Sequence, residues 1–189
     1  MNRALLFACL ALTLSAETVR IIQTNAAGDE ALLIDPATNK VTLHIADLEG
    51  AHGVTVSPDG SKGYFTVEAD STVKAYDLKN GKLLGSVKLT GHPNNIAISK
   101  DGKRIFAGIA VAPGAVDVID AATMKRVQSV PIKGAVHNVY VTPDGKYMVA
   151  GSVGGSIVQV FDAETLAPSW ELKMDHGVRC MPFEKAADG

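Results

Sequence analysis

Apolar and polar residues alternate in short runs along most of this chain, and after residue 17 no helical period is kept over a useful length. Gly53-Val-Thr-Val56 alternates with period two and stops at Pro58-Asp59-Gly60. Proline presets φ there and glycine tolerates φ > 0, which predicts a tight turn between two strands. Tyr64–Val67 reads as the second strand, Val73–Tyr76 as the third after Ser71-Thr72, and Lys82–Leu89 as the fourth after a turn opened by Asp77. An Asp opening a turn accepts bonds from amides two and three residues on, and a polar residue three later completes the cap. Asp35 with Thr38, Asp77 with Asn80, Asp120 with Thr123 and Asp162 with Thr165 all fit that pattern, so these aspartates are read as turn-formers.

Two markers show that this unit repeats. Ser57-Pro-Asp-Gly60 returns as Ser99-Lys-Asp-Gly102 and Thr142-Pro-Asp-Gly145, at steps of 42 and 43 residues, so Gly60, Gly102 and Gly145 are assigned to equivalent turns. An apolar or aromatic residue followed by Asp recurs at Asp35, Asp77, Asp120 and Asp162, at steps of 42, 43 and 42. Two markers advancing together define an array. One four-stranded antiparallel sheet of about 42 residues has two apolar faces, and radial stacking of copies buries each on the next. The predicted class is all-β, a β-propeller with about four blades' worth of strands: a partial blade over 18–48 with strands at 18–24, 30–34 and 41–46, blades over 53–89, 95–132 and 138–173, and an extra inner strand over 177–182. That last strand could close a four-bladed ring with the first three. Alternatively, the chain could be the front of a larger ring whose next hairpin turn would begin at Ala187-Asp188-Gly189. An open array would leave apolar blade faces wet and prone to self-association.

Composition fits a globular domain, at 47% hydrophobic and 20% charged over 189 residues. Eighteen basic and 20 acidic residues are mixed along the chain for a net charge of -2, which gives no footprint for nucleic acid or an anionic membrane. Asn2-Arg3, the apolar run Ala4–Leu14 and the small residues Ser15-Ala16 form a secretory leader pattern over 1–16, too short to span a membrane. The expected domain is therefore 17–189, in a periplasmic or extracellular location. Leu6-Phe-Ala-Cys9 imitates a lipoprotein site only loosely. With Cys9 removed, Cys180 has no disulfide partner and is expected to be a small buried apolar residue. Trp170, the only Trp, is expected to be buried against a neighbouring blade.

The candidate chemistry lies before each innermost strand. Aligning Val54, Ile96, Val139 and Val178 puts His52, Asn94, His137 and His176 in one phase, each followed by Gly53, Asn95, Asn138 or Gly177. Glycine and asparagine best tolerate φ > 0, so a shared left-handed bend is expected at the mouth of the central channel. Three imidazoles there could hold a ligand, although residues recurring in every blade also suit a structural role in the turns. Gly91-His92 is out of phase with this series. Equivalent positions on different blades are expected to stand ~8 Å or more apart, too far for one metal ion bound at about 2 Å, whereas a broad planar ligand could span them.

The units Arg20-Ile-Ile-Gln-Thr-Asn25, Leu32-Leu-Ile-Asp-Pro-Ala-Thr-Asn-Lys-Val41 and Gly53-Val-Thr-Val-Ser-Pro-Asp-Gly60 resemble the YVTN-type β-propeller repeat. More widely they resemble the propellers of quinoprotein amine dehydrogenases and cytochrome-type nitrite reductases, and the resemblance covers 18–183. It implies a larger ring of about seven blades, and a fold that in related enzymes carries haem or a quinone. It supplies no matching ligand residues: the chain has no Cys-x-x-Cys-His, Gly-x-Ser-x-Gly, His-Glu-x-x-His, phosphate loop or EF-hand spacing, and no metal site is assigned. With no catalytic residue to nominate, the expected function is a non-catalytic binding or scaffold module for a protein or small ligand, with no cofactor. The alternatives are a haem- or quinone-holding enzyme or electron-transfer subunit, and a fragment with no function of its own.

Overall fold

The structure, a computed structural model, describes residues 19–184. The leader over 1–16, Cys9 and the turn at 187–189 lie outside the described residues. Among the described residues fifteen strands run in chain order: β1 (Ile21–Thr24), β2 (Ala31–Asp35), β3 (Lys40–Ile45), β4 (Ala51–Val56), β5 (Lys62–Val67), β6 (Thr72–Asp77), β7 (Leu83–Lys88), β8 (Pro93–Ile98), β9 (Arg104–Ile109), β10 (Ala115–Asp120), β11 (Lys125–Pro131), β12 (Val136–Val141), β13 (Tyr147–Ser152), β14 (Ile157–Asp162) and β15 (Pro168–Lys173). They form four antiparallel meanders, β1-β2-β3, β4-β5-β6-β7, β8-β9-β10-β11 and β12-β13-β14-β15. These are blades of a β-propeller.

Each meander is shaped by its turn chemistry. Between the first and second strands of the full sheets, the Asp59, Asp101 and Asp144 carboxylates accept from the hydroxyls of Ser57, Ser99 and Thr142 at 2.5–2.6 Å. Gly60, Gly102 and Gly145 follow at φ +70°, +73° and +83°, a region that a Cβ makes costly. Before each outer strand, Asp35, Asp120 and Asp162 accept from Thr38, Thr123 and Thr165 hydroxyls at 2.7–2.9 Å, while Asp77 accepts from the Lys79 amide at 2.7 Å.

The sheets stack through three apolar joints. Leu33 and Ile45 of the first sheet meet Phe65 and Tyr76 of the second; Val73 and Leu89 of the second meet Ile105 and Ile119 of the third; Val116 and Ile132 of the third meet Met148 and Phe161 of the fourth. Fully burying one such side chain contributes about 1.5–3 kcal/mol, so each joint outweighs any single turn.

A polar latch recurs beside each joint. Lys74 Nζ donates to the Asp47 carbonyl at 2.7 Å, the Thr90 amide to Asp117 Oδ2 at 2.7 Å, and the Lys133 amide to Gln159 Oε1 at 2.7 Å. In each case the residue just past one sheet's outer strand meets the third strand of the next sheet. Asp117 is fully buried and also accepts from the Thr90 hydroxyl at 2.9 Å, with Arg126 3.5 Å away. The chain is close at the third of these crossings, where a Cβ on Gly155 would stand 2.0 Å from the Lys133 carbonyl oxygen.

Three expectations are corrected beyond the third joint. No strand forms over 177–182: the Val178 amide donates to the Ser152 carbonyl at 3.1 Å and its side chain lies against Gly151, so the segment follows the fourth sheet and does not pair with β1. The first sheet is accordingly three-stranded among the described residues. Trp170 is 55% exposed, because among the described residues no further sheet lies against the face of β15. Cys180 is exposed, since it lies on this unpaired segment and outside any apolar joint.

Candidate functional site at the upper rim

The connections that lead from each outer strand to the next inner strand share one end of the stack, here called the upper face, with the β5–β6 and β9–β10 connections. In the three full sheets the inner strand slips register against its neighbour where it enters, between Ala51 and Val54, Pro93 and Ile96, and Val136 and Asn138. An extra residue in one strand of an antiparallel pair makes a β-bulge, which bends the strand and re-aims a side chain. The shared bend is this bulge. Gly53, Asn95, Asn138 and Gly177 are not among the residues with positive φ, which corrects the expected left-handed conformation. Gly53 is required by close approach instead: a Cβ there would lie 2.8 Å from the Asn94 carbonyl oxygen of the next sheet.

The bulges bring His52 and Asn94 together across the joint of the second and third sheets, with Asn94 Nδ2 3.5 Å from His52 Nε2. Glu68, from the β5–β6 connection, stands between two imidazoles, its Oε1 3.7 Å from His52 Nε2 and its Oε2 3.4 Å from His92 Nε2. Below them Thr66 donates to the Asn94 carbonyl at 2.6 Å, and the Thr66 hydroxyl accepts from the Gly53 amide at 2.7 Å.

His137 occupies the next position and is held differently. Asn138 Nδ2 donates to the Tyr140 hydroxyl at 2.9 Å, which turns the amide oxygen toward His137 Nδ1, 2.7 Å away. That oxygen can only accept, so Nδ1 carries the proton and Nε2 keeps its lone pair. Arg179 occupies Nε2, its NH1 donating at 3.1 Å. Arg179 therefore takes the place expected for His176, which is exposed and joins none of these contacts. Arg179 follows His137 by 42 residues, as Asn94 follows His52. That interval is the signal that would have found Arg179, whereas the alignment on Val178 displaced it by three residues.

Among the described residues no three His, Cys, Asp or Glu side chains are placed to hold a metal ion. An iron carried in its own macrocycle needs less, since axial ligation takes one or two side chains. His137 has the required form, with a proton-bearing Nδ1 fixed by a partner and a lone pair on Nε2. Arg179 beside it suits a carboxylate edge. On the opposite, lower face a cavity of about 580 Å³ is lined by Asp59, Asp101 and Asp120 with Lys62 and Lys103. Its carboxylates are held ionised by their turns, most strongly Asp59, lowered to about 2 by the Ser57 hydroxyl first and the Ser61 amide next. That wall disfavours an anionic macrocycle, and the upper rim is the better fit. No helix among the described residues is long and apolar enough to cross a membrane.

Comparisons agree with the fold and narrow the family. A search of curated proteins returns no match. Among solved structures the chain is similar to the Kuenenia stuttgartiensis Hydrazine Synthase, with 26% identity and a TM-score of 0.74 over 83% of this chain and 46% of that one. This chain thus spans less than half of that protein's length. The sequence matches the Cytochrome D1 heme domain over residues 17–139, which takes in the first three sheets and the entry to the fourth. By that match over well more than half its length, the chain belongs to the Cytochrome D1 heme domain family and is a haem-domain-type β-propeller.

Proposed function

We propose that this chain is the cofactor-bearing propeller of a haem-type enzyme or electron-transfer protein, holding the group at its upper rim. This replaces the non-catalytic scaffold as the favoured reading. The observation that carries it is the fixed tautomer of His137. In this reading His137 Nε2 would hold the group, Asn138 would keep the Nδ1 proton in place, and Arg179 would pair with a carboxylate of the macrocycle. A bound haem would supply redox chemistry; the protein's part would be to orient the group and hold its charge. The leader pattern over 1–16 supports export, to the periplasm or outside the cell.

Titration of the purified chain with iron protoporphyrin IX, followed by its Soret band, tests the assignment. The expected result is saturable binding with a histidine-ligated spectrum that His137→Ala loses and His52→Ala and His176→Ala keep. Binding that survives His137→Ala unchanged, or a wild-type chain that gives only the spectrum of free haem, returns the molecule to the scaffold reading.

A further inference from the structure

On the lower face an arginine bridges two of the three joints. Arg20, just before β1, donates NH1 to the Leu78 carbonyl of the second sheet at 2.8 Å. Arg104, at the start of β9, donates NH1 to the Ala163 carbonyl of the fourth sheet at 3.1 Å and also to the Glu164 carbonyl. The acceptors are equivalent: Leu78, Ala121 and Ala163 each follow a turn-forming Asp and donate their amides to Ser61, Lys103 and Lys146. At the joint of the second and third sheets the bridge is absent. Lys62 lies opposite Asp77 as Arg104 lies opposite Asp120, so it holds the arginine's position, facing the carbonyls of Ala121 and Ala122. Among the described residues no side chain donates to either carbonyl, and the lower-face cavity of about 580 Å³ lies here, lined by Lys62, Ala121 and Ala122.

A second departure falls at the same joint. Tyr64 lies opposite Ala75 as Ile22 lies opposite Leu33 and Phe106 opposite Val118, so a position that is apolar in the first and third sheets carries a hydroxyl in the second. Tyr64 is 2% exposed and lines the cavity. Its hydroxyl bonds no other described residue, yet no buried side-chain polar atom lacks a partner, so this hydroxyl opens onto the cavity. Burial first and the Asp59 charge next push the phenol up, which keeps it protonated. Asp59, Asp101 and Asp120 outnumber Lys62 and Lys103 in the wall, and Lys103 is tied to Asp101 at 3.3 Å. Asp120 uses Oδ1 for the Thr123 amide and hydroxyl, both at 2.7 Å, which leaves Oδ2 for another donor. Its equivalent Asp162 has the charge of Arg104 nearby.

We propose that this cavity binds the guanidinium group of a ligand, which takes the place that Arg20 and Arg104 fill at the neighbouring joints. Its planar fork of N–H donors matches the Ala121 and Ala122 carbonyls, Asp120 Oδ2 and the Tyr64 hydroxyl, whereas a compact ammonium has three donors and cannot span that set. The volume is that of a small-molecule site. The group can belong to a free guanidine compound or to an arginine side chain of another protein; the chemistry is shared. This site lies on the face opposite His137 and does not depend on the haem assignment.

Calorimetric titration of the full chain with ethylguanidinium, and with ethylammonium as the matched amine, tests the site. Saturable binding of ethylguanidinium is expected, about tenfold or more tighter than ethylammonium. Lys62→Arg, which supplies the bridge found at the other two joints, is expected to abolish binding and raise the urea midpoint. Tyr64→Phe is expected to weaken binding about tenfold, with an unchanged β-sheet spectrum in circular dichroism. A blocked peptide with one Arg separates the two sources: affinity above that of ethylguanidinium points to a protein side chain and affinity below it to a small molecule, and both support the site. No saturable binding of either guanidinium probe, equal affinity for ethylammonium, or binding that Lys62→Arg leaves unchanged would each overturn the proposal.

Discussion

Acid sensitivity is set by single residues in the turns. Asp59, Asp101 and Asp144 are held below the ordinary carboxylate value first by the hydroxyl of Ser57, Ser99 or Thr142 and next by a backbone amide; Asp35 and Asp120 are held the same way by the hydroxyls of Thr38 and Thr123 first, and Asp162 first by the Thr165 amide. A carboxylate with a depressed folded value stabilises the fold above its unfolded value, and the contribution is lost as pH falls through the folded one. Six such turns repeat the effect. Urea midpoints measured across pH are therefore expected to hold steady to about pH 4, the unfolded range for Asp, and to fall between there and about 2, the value for Asp59. Asp59→Asn is expected to lower the neutral-pH midpoint and flatten that acid limb. A limb of unchanged steepness would remove the turns as its cause. At the same scale, His137 and His52 look alike in sequence but differ in chemistry, because Asn138 and Arg179 fix one and Glu68 and Asn94 flank the other.

Between elements, each joint combines an apolar stack with one polar latch, and the latches are not equal. Asp117 carries a fully buried carboxylate whose partners come from the end of the previous sheet and from Arg126 of its own. Breaking hydrogen bonds to a charged group costs about 1.5–3 kcal/mol each, and here the Thr90 amide and hydroxyl would be left without their acceptor. Asp117→Ala is accordingly expected to destabilise the fold by about 3–5 kcal/mol, read by urea unfolding, while Gln159→Ala, which removes a neutral acceptor, costs about 1 kcal/mol. Equal losses would mean that the carboxylate's charge adds nothing.

For the whole molecule, stability comes from neighbouring sheets that shield one another. Met148 is fully buried in the joint of the third and fourth sheets, whereas Leu172 on the far face of the fourth is 53% exposed. Met148→Ala is therefore expected to cost about 2–5 kcal/mol in urea unfolding, and Leu172→Ala about 0.5 kcal/mol or less. Equal losses would mean that burial between sheets is not what holds the array together.

The periodicity of the sequence determined the blade, because spacing, alternation and Asx turns are local and a 42-residue repeat exposes them several times over. It also identified His52, Asn94 and His137 as a related series, although the structure sets each at the second position of its inner strand where the sequence pattern put it before the strand. Only the tertiary structure decided what those residues do. The bulge differs from the expected left-handed bend because glycine and asparagine suit both; Glu68 and His92 arrive from connections whose approach no local pattern records, while Arg179 keeps the 42-residue interval that alignment on Val178 hides. Burial of Trp170 and Cys180 depended on whether another sheet lies against the fourth. That is a property of neighbours around the axis, and a strand's own alternation carries no information about it.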